Sequence, residues 1–441
     1  MRKSIILIIV LSVLAIAFVA CTGNNDAPPA ADPPAQEQPA PEQPAPEQPA
    51  PDPTPTDDQV SGDLFIWMHH SEAFAEAMAD AFMRDFPDVN VTWEHVGFTD
   101  QRDMITLDGP AGIGPDVWLQ PHDGVALAIN DGLVEPLPTD MQERLRGRVL
   151  TAAIDTATHN GVLYGVPFQT ETIALFYNRA YVPTAPSSFE EIIEFAREWN
   201  DPAQNRFAMR WQINDAYHNY AFLTAFGFTV FGPNMDDWRA MDFDTDAVRR
   251  GIEFHASLRE VFDFGVDDFE WDNTVAAFQR GEVPFTISGP WAIGDARANG
   301  VDFGVTRLPT VNGVQPRSFS GAGVAHISSF TENLPASLAF VEWMASDAAA
   351  SVIFNEIGNL AALYDVSGVP GLAEDPHLSG IALQAAFANP MPTIPEVDLM
   401  WGPLATVFTH TWNGTMTAEE TAALAQQEYL DALAVVGLTI D

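Results

Sequence analysis

Cysteine and lysine are almost absent: the 441 residues hold one cysteine, Cys21, and one lysine, Lys3. A single thiol excludes an internal disulfide framework and any cysteine-rich zinc site. Positive charge is scarce as a whole, with 19 Lys plus Arg against 61 Asp plus Glu and a formal net charge of −42. Such a surface repels phosphate, and no basic stripe interrupts it, which argues against a nucleic-acid partner. The chain has no phosphate-cradling glycine loop of the Walker or dinucleotide type, no Gly-x-Ser-x-Gly elbow and no His-Glu-x-x-His pair. His69 and His70 are adjacent, so on a strand they face opposite ways, and no carboxylate is spaced to complete a metal site with them. No metal and no cofactor is expected.

What is present begins with an export signal. Arg2 and Lys3 precede an almost unbroken apolar run from Ile5 to Val19. A basic flank and a run of this length read as a signal peptide over 1–20, not a stable transmembrane span. Phe18-Val19-Ala20-Cys21 resembles a bacterial lipobox, in which the cysteine becomes the lipidated N-terminus; Phe18 stands where leucine is usual. The competing reading is a plain secretory signal with an incidental cysteine. Removal of the signal also removes Arg2 and Lys3, leaving 19 − 2 = 17 basic residues, all arginine.

Residues 21–62 follow as a lipidated cysteine and a tether. Glu-Gln-Pro-Ala-Pro occurs at 37–41, 42–46 and 47–51. Proline at this density lacks backbone donors and favours an extended polyproline II chain. At about 3.1 Å per residue, the ~39 residues from Thr22 to Val60 reach ~120 Å. This is a spacer lifting a domain off a membrane surface; a proline-recognition ligand is the alternative.

The remaining body is long enough for two lobes of about 150–200 residues each, and 47% apolar residues supply a core. Leu64-Phe65-Ile66-Trp67 reads as a buried strand, Glu72 to Phe86 as a helix with apolar residues at 74, 78, 82 and 86, and Val89 to Trp93 as an alternating strand. Strand, helix, strand predicts a parallel pair with a right-handed crossover. A second such passage has helix up to Arg280 and a strand over Val283 to Ile287. Thr417 with Glu420 forms a capping box opening a helix through Ala425 to Leu433. The body is α/β.

Four blocks of this body resemble the maltose/maltodextrin-binding proteins of bacterial ABC importers. They are Gly114-Pro115-Asp116-Val117-Trp118-Leu119-Gln120-Pro121-His122-Asp123 with Asp131-Gly132-Leu133; Val166-Pro167-Phe168-Gln169-Thr170-Glu171 leading into Leu175-Phe176-Tyr177-Asn178; Ala276 to Glu282 followed by Ser288-Gly289-Pro290-Trp291; and Met391-Pro392-Thr393-Ile394-Pro395 with Trp401. Their order and spacing match that family from about residue 63 to the C-terminus, and each block alone is weak.

The resemblance implies a two-lobed periplasmic-binding-protein-like fold of type II, each lobe a mixed sheet flanked by helices. One lobe would hold 63–170 plus 321–360 and the other 171–320 plus 361–441, with three hinge crossings near Thr170, Ser320 and Asn359. It implies no enzyme activity but the binding of a carbohydrate between the lobes and delivery to permease subunits. The expected protein is a monomer, extracytoplasmic and lipid-anchored through Cys21 to the outer face of the cell membrane.

A sugar ring presents an apolar face and a rim of hydroxyls, which aromatic rings and carboxylates recognise respectively. By the same resemblance, Asp123 and Glu171 align with hydroxyl-accepting carboxylates, and Asp215 stands where the family has a slightly longer acid. Tyr217, Trp291 and Trp401 align with stacking rings, and Trp271 replaces a tyrosine. The competing reading is core packing for each aromatic, and a cap or surface salt bridge for Asp123 and Glu171. Gln120 stands where the family has a stacking tryptophan, Gly124 and Ala405 replace two arginines, and His69 to Glu72 lacks an expected Asp-Lys pair. Without those cations an anionic substrate would meet uncompensated carboxylates, so a neutral oligosaccharide of the maltodextrin type is favoured. Open alternatives are another neutral sugar, such as a β-glucan oligosaccharide, xylo-oligosaccharide or trehalose; a sugar-sensing receptor module; and a lipid-anchored glycosidase using the same carboxylates.

Overall fold

The computed structural model describes residues 60–265, 270 and 273–440. The signal peptide, the lipobox with Cys21, nearly all of the tether, and Trp271 lie outside the described residues.

The first strand β1 (Gly62–Met68) pairs in parallel with β2 (Val89–His95) along its whole length, as the strand-helix-strand pattern predicts. The intervening helix Glu72–Asp85 starts where Ser71 accepts a hydrogen bond from the Phe74 amide, and it buries Phe74, Met78 and Phe82 on one face. The strand β3 (Val117–Pro121) lies on the other side of β1. A tight hairpin, β4 (Thr158–His159) and β5 (Val162–Leu163), turns through Asn160 and Gly161 at φ 50° and 83°, the left-handed pair that a two-residue turn demands.

Next, β6 (Val166–Thr172) enters the large sheet, and one residue later β7 (Ala174–Asn178) belongs to a separate three-stranded sheet with β8 (Phe285–Ser288) and β9 (Phe303–Thr306). The chain returns to the large sheet as β10 (Phe319–Ile327), antiparallel to both β3 and β6. The short β11 (Leu360–Ala361) pairs with β6, and β12 (Asn389–Pro390) with the start of β10. The expected mixed sheet is the large one; the smaller sheet is antiparallel throughout. The strand expected from Val283 begins at Phe285, because Pro284 has no N–H to enter the ladder.

Helices Ala216–Thr224, Asp246–Ser257, Trp401–Trp412 and Ala418–Val435 pack on one another beside the small sheet, around Tyr220, Phe228, Phe243, Phe408 and Tyr429. The last of them opens on the expected capping box: Glu420 N donates to Thr417 Oγ1 at 3.2 Å, and Thr417 N to Glu420 Oε2 at 2.9 Å. Ile173, at 0% exposure, is thus the single buried residue between the two sheets, and Glu171 stands on β6, paired with Gly321.

Candidate functional site

Strand ends and helix starts converge on one cavity of about 870 Å³. Asp123 lies in the 3-10 turn His122–Gly124 that directly follows β3, and Glu171 is the next-to-last residue of β6. Asp215 caps the helix Ala216–Thr224, accepting from the His218 amide at 2.8 Å, and Tyr217 sits in its first turn. Trp291 occupies the turn Pro290–Ala292 just past β8, and Trp401 begins the helix Trp401–Trp412. All six line the cavity, so six of the seven residues expected from sequence are brought together.

The two competing readings separate on exposure. Trp67, Trp118, Trp211 and Trp412 are fully buried core residues. Trp291, Trp401 and Tyr217 are half-buried, backed by core rings on one side and open to the cavity on the other. Tyr217 and Tyr220 both stack on Phe319, with centroids 6.1 Å and 3.7 Å away, and Trp401 meets the same ring edge-on at 5.8 Å. Behind Trp291, a β-carbon on Gly289 would come within 2.3 Å of its ring, so the glycine of the Ser288-Gly289-Pro290-Trp291 motif is what lets the indole fold back.

The carboxylates differ in what holds them. Asp123 Oδ2 accepts a hydrogen bond from Trp401 Nε1 at 3.1 Å, joining two segments 278 residues apart. Burial raises the Asp123 carboxyl above the usual range, against the pull of His122 and that indole N–H. No donor among the described residues reaches Glu171, and burial with the neighbouring Asp123 charge pushes it up to about 7. Burial acts on Asp215 in the same sense, but His218, with Nδ1 at 2.7 Å, and the adjacent amides outweigh it and leave Asp215 below the usual range.

Several residues at this site were not expected from the sequence. Alternation on a strand predicts that His69 and His70 diverge, but β1 ends at Met68 and His70 takes φ 73°. That left-handed turn breaks the alternation, brings the two rings to 3.9 Å and places both on the cavity. Burial lowers the pKa of both, His70 to about 4. Phe98 stacks on His69 at 4.1 Å, and Gln169, Gln212, Asn214, His218 and Asn359 complete the polar part of the wall. Gln169 and Asn359 are bonded to each other at 2.7 Å. Buried polar atoms without a partner concentrate here: both His69 ring nitrogens, His70 Nε2, Tyr217 Oη, His218 Nε2 and Asn359 Oδ1. An unpaired buried polar group costs about 1–3 kcal/mol, and a ligand rich in hydroxyls is one way to recover it. Nothing local in the sequence announces these residues; only the folded chain assembles them.

Gln120 lies elsewhere. It is 2% exposed and its amide reaches His326 Nε2 at 3.1 Å, away from the cavity wall. The same amide fills the space beside Gly124, where a β-carbon would approach Gln120 Oε1 to 2.4 Å. No longer side chain fits at Gly124 while Gln120 holds that position.

A two-sheet α/β body with a cavity walled by half-buried aromatics and carboxylates is the build of a protein that holds a solute. Residues 77–380 match the bacterial extracellular solute-binding protein family, and the chain belongs to that family. Members bind a solute and do not transform it. The chain is 27% identical over 350 residues to the "Maltotriose-binding protein" of Pyrococcus abyssi, spanning 78% of this chain and 76% of that one. It is 25% identical to the "Galactooligosaccharide-binding protein" of Bacillus subtilis, over 77% of this chain and 82% of that protein. It is also 25% identical to the "Maltooligosaccharide ABC transporter solute-binding lipoprotein" of Streptococcus pneumoniae R6, over 80% and 84%. Among solved structures, a cyclo/maltodextrin-binding protein complexed with maltotetraose superposes with a TM-score of 0.68 at 26% identity, covering 84% of this chain and 97% of that one. The Thermus thermophilus maltotriose-binding protein shares the fold with a TM-score of 0.75 at 23% identity, covering 84% of this chain and 100% of that one.

Proposed function

We propose that this protein is the solute receptor of a carbohydrate ABC importer, binding an oligosaccharide of the maltodextrin type between two lobes and handing it to the permease. The observation that carries this reading is the cavity wall: half-buried Trp291, Trp401 and Tyr217 beside Asp123 and Glu171. Rings of this kind cover the apolar face of a sugar, and carboxylates accept its hydroxyls, often in pairs. The names of the relatives point the same way, and the galactooligosaccharide-binding relative supports a second reading in which another neutral oligosaccharide is the ligand.

The lobes would be 63–170 plus 321–360 and 171–320 plus 361–441, hinged at the three crossings. Support for the first crossing is the passage from β6 to β7 through Ile173 alone. A ligand touching both lobes favours the closed arrangement by its differential affinity. Cys21 would anchor the chain by a lipid, in keeping with the lipoprotein relative; Cys21→Ser should then release the protein or leave an uncleaved precursor. The functional test is a thermal-shift and titration series with maltose, maltotriose, maltotetraose and a galacto-oligosaccharide. A sugar that binds only the native state raises the melting temperature. No response to any of them would overturn the carbohydrate reading.

A further inference from the structure

We propose that this cleft takes an amine-bearing oligosaccharide in preference to its neutral counterpart, with the ammonium beside Glu171. The inference rests on the carbohydrate reading above and adds the charge of the ligand.

Three carboxylates line the cavity, Asp123, Glu171 and Asp215, and among the described residues no lysine or arginine lines it with them. Charges taken out of water need partners, and elsewhere in the fold they have them. Asp116 accepts from the Phe65 amide at 2.9 Å and from Thr331 Oγ1 at 2.6 Å. Asp375 is held by Arg297 and by the amides of His377 and Leu378. Within the cavity, Asp215 has His218 and Asp123 has the Trp401 indole. Glu171 alone among these has no donor among the described residues, and Asp123 is the charge that acts on it.

The missing cation cannot come from the positions where related proteins are expected to carry arginine. Ala405 has no charge, and the space beside Gly124 is filled by the Gln120 amide. Arg102 is committed to Asp398 and Asp103 at 3.3 Å each. The histidines of the wall do not replace it, since burial keeps His69 and His70 neutral at neutral pH and His218 is bonded to Asp215 at 2.7 Å.

A second feature is independent of the acids. Trp291, Tyr217 and Trp401 line the same space, and an ammonium is attracted to aromatic rings of this kind. His69, 5% exposed, also lines the cavity, with both ring nitrogens unpartnered. The wall therefore asks for a ligand with hydroxyls and one positive charge. A neutral hydroxyl leaves in place the burial and the Asp123 charge that disfavour the ionised form of Glu171, whereas an ammonium favours that form and bonds to it.

The test is isothermal titration of the full chain with chitotriose, which carries a 2-amino group on each ring, and with cellotriose, which has the same linkage and no amine. Maltotriose serves as the linkage control. Chitotriose should bind about 10- to 150-fold more tightly than cellotriose, the worth of a charge-assisted hydrogen bond. Glu171→Gln should remove most of that ratio while leaving the melting temperature of the free protein at or above that of the wild type. Cellotriose binding as tightly as chitotriose overturns the proposal. So does maltotriose binding with no response to chitotriose, or a chitotriose preference that survives Glu171→Gln. If no sugar binds, the carbohydrate reading itself falls and this inference with it.

Discussion

Replacing Glu171 by glutamine should change how the stability of the free protein depends on pH. The Glu171 carboxyl ionises at about 7 in the folded chain against an ordinary value of 4.5, with burial the larger cause and the Asp123 charge the smaller. The sign follows from proton counting: between the two values the folded state holds a proton that the unfolded state has released. Stability therefore falls as pH rises from 4.5 toward 7 and levels off above it. A shift of about 2.5 units corresponds to roughly 3.4 kcal/mol at 1.36 kcal/mol per unit. Glu171 is half-buried and lines a cavity, so water within it screens part of this, and about 1–3 kcal/mol is the working range. Glu171→Gln carries no ionisable group and removes only this contribution. Melting curves of both proteins from pH 5 to 8, at one ionic strength, should show the wild type losing ground to the variant across the interval. A difference that stays constant with pH, or that moves in favour of the wild type, would refute the placement of Glu171 in a poorly solvated site beside Asp123.

Three further outcomes follow from the same geometry. Trp401→Ala should weaken sugar binding by about 5- to 150-fold, the worth of one stacking face taken by analogy with base–aromatic platforms, with little change in melting temperature; a core role would instead cost about 3–5 kcal/mol of stability. Gly289→Ala, at φ −101° where alanine is unstrained, should push the Trp291 ring out of place and lower affinity without lowering the melting temperature, and an unchanged titration would show that the ring position is immaterial. With a formal charge of −42, the protein should melt at a higher temperature in about 1 M NaCl than in about 50 mM, where self-repulsion reaches further; a flat response between the two would show that the acidic surface carries no stability cost.

The sequence by itself determined the local elements, because their causes are local. The apolar run at Leu64 to Trp67, the 3.6-residue spacing from Phe74 to Phe86 and the Thr417–Glu420 box each act within a few residues, and each appears as expected. It also pointed to Asp123, Glu171, Asp215, Tyr217, Trp291 and Trp401, through blocks whose order resembles a known family, and all six line one cavity. What only the tertiary structure decided concerns neighbours far apart in the chain. The contact of Trp401 with Asp123 spans 278 residues, and the paired His69 and His70 rings depend on one left-handed residue at a strand end that alternation cannot foresee. Gln120 turned to His326 because a strand buried on both faces offers its polar side chain an imidazole 206 residues away. The unpaired state of Glu171 is of the same kind: a carboxylate's ionisation is set by the charges and the depth of protein around it, and those are known only once the chain has closed on itself.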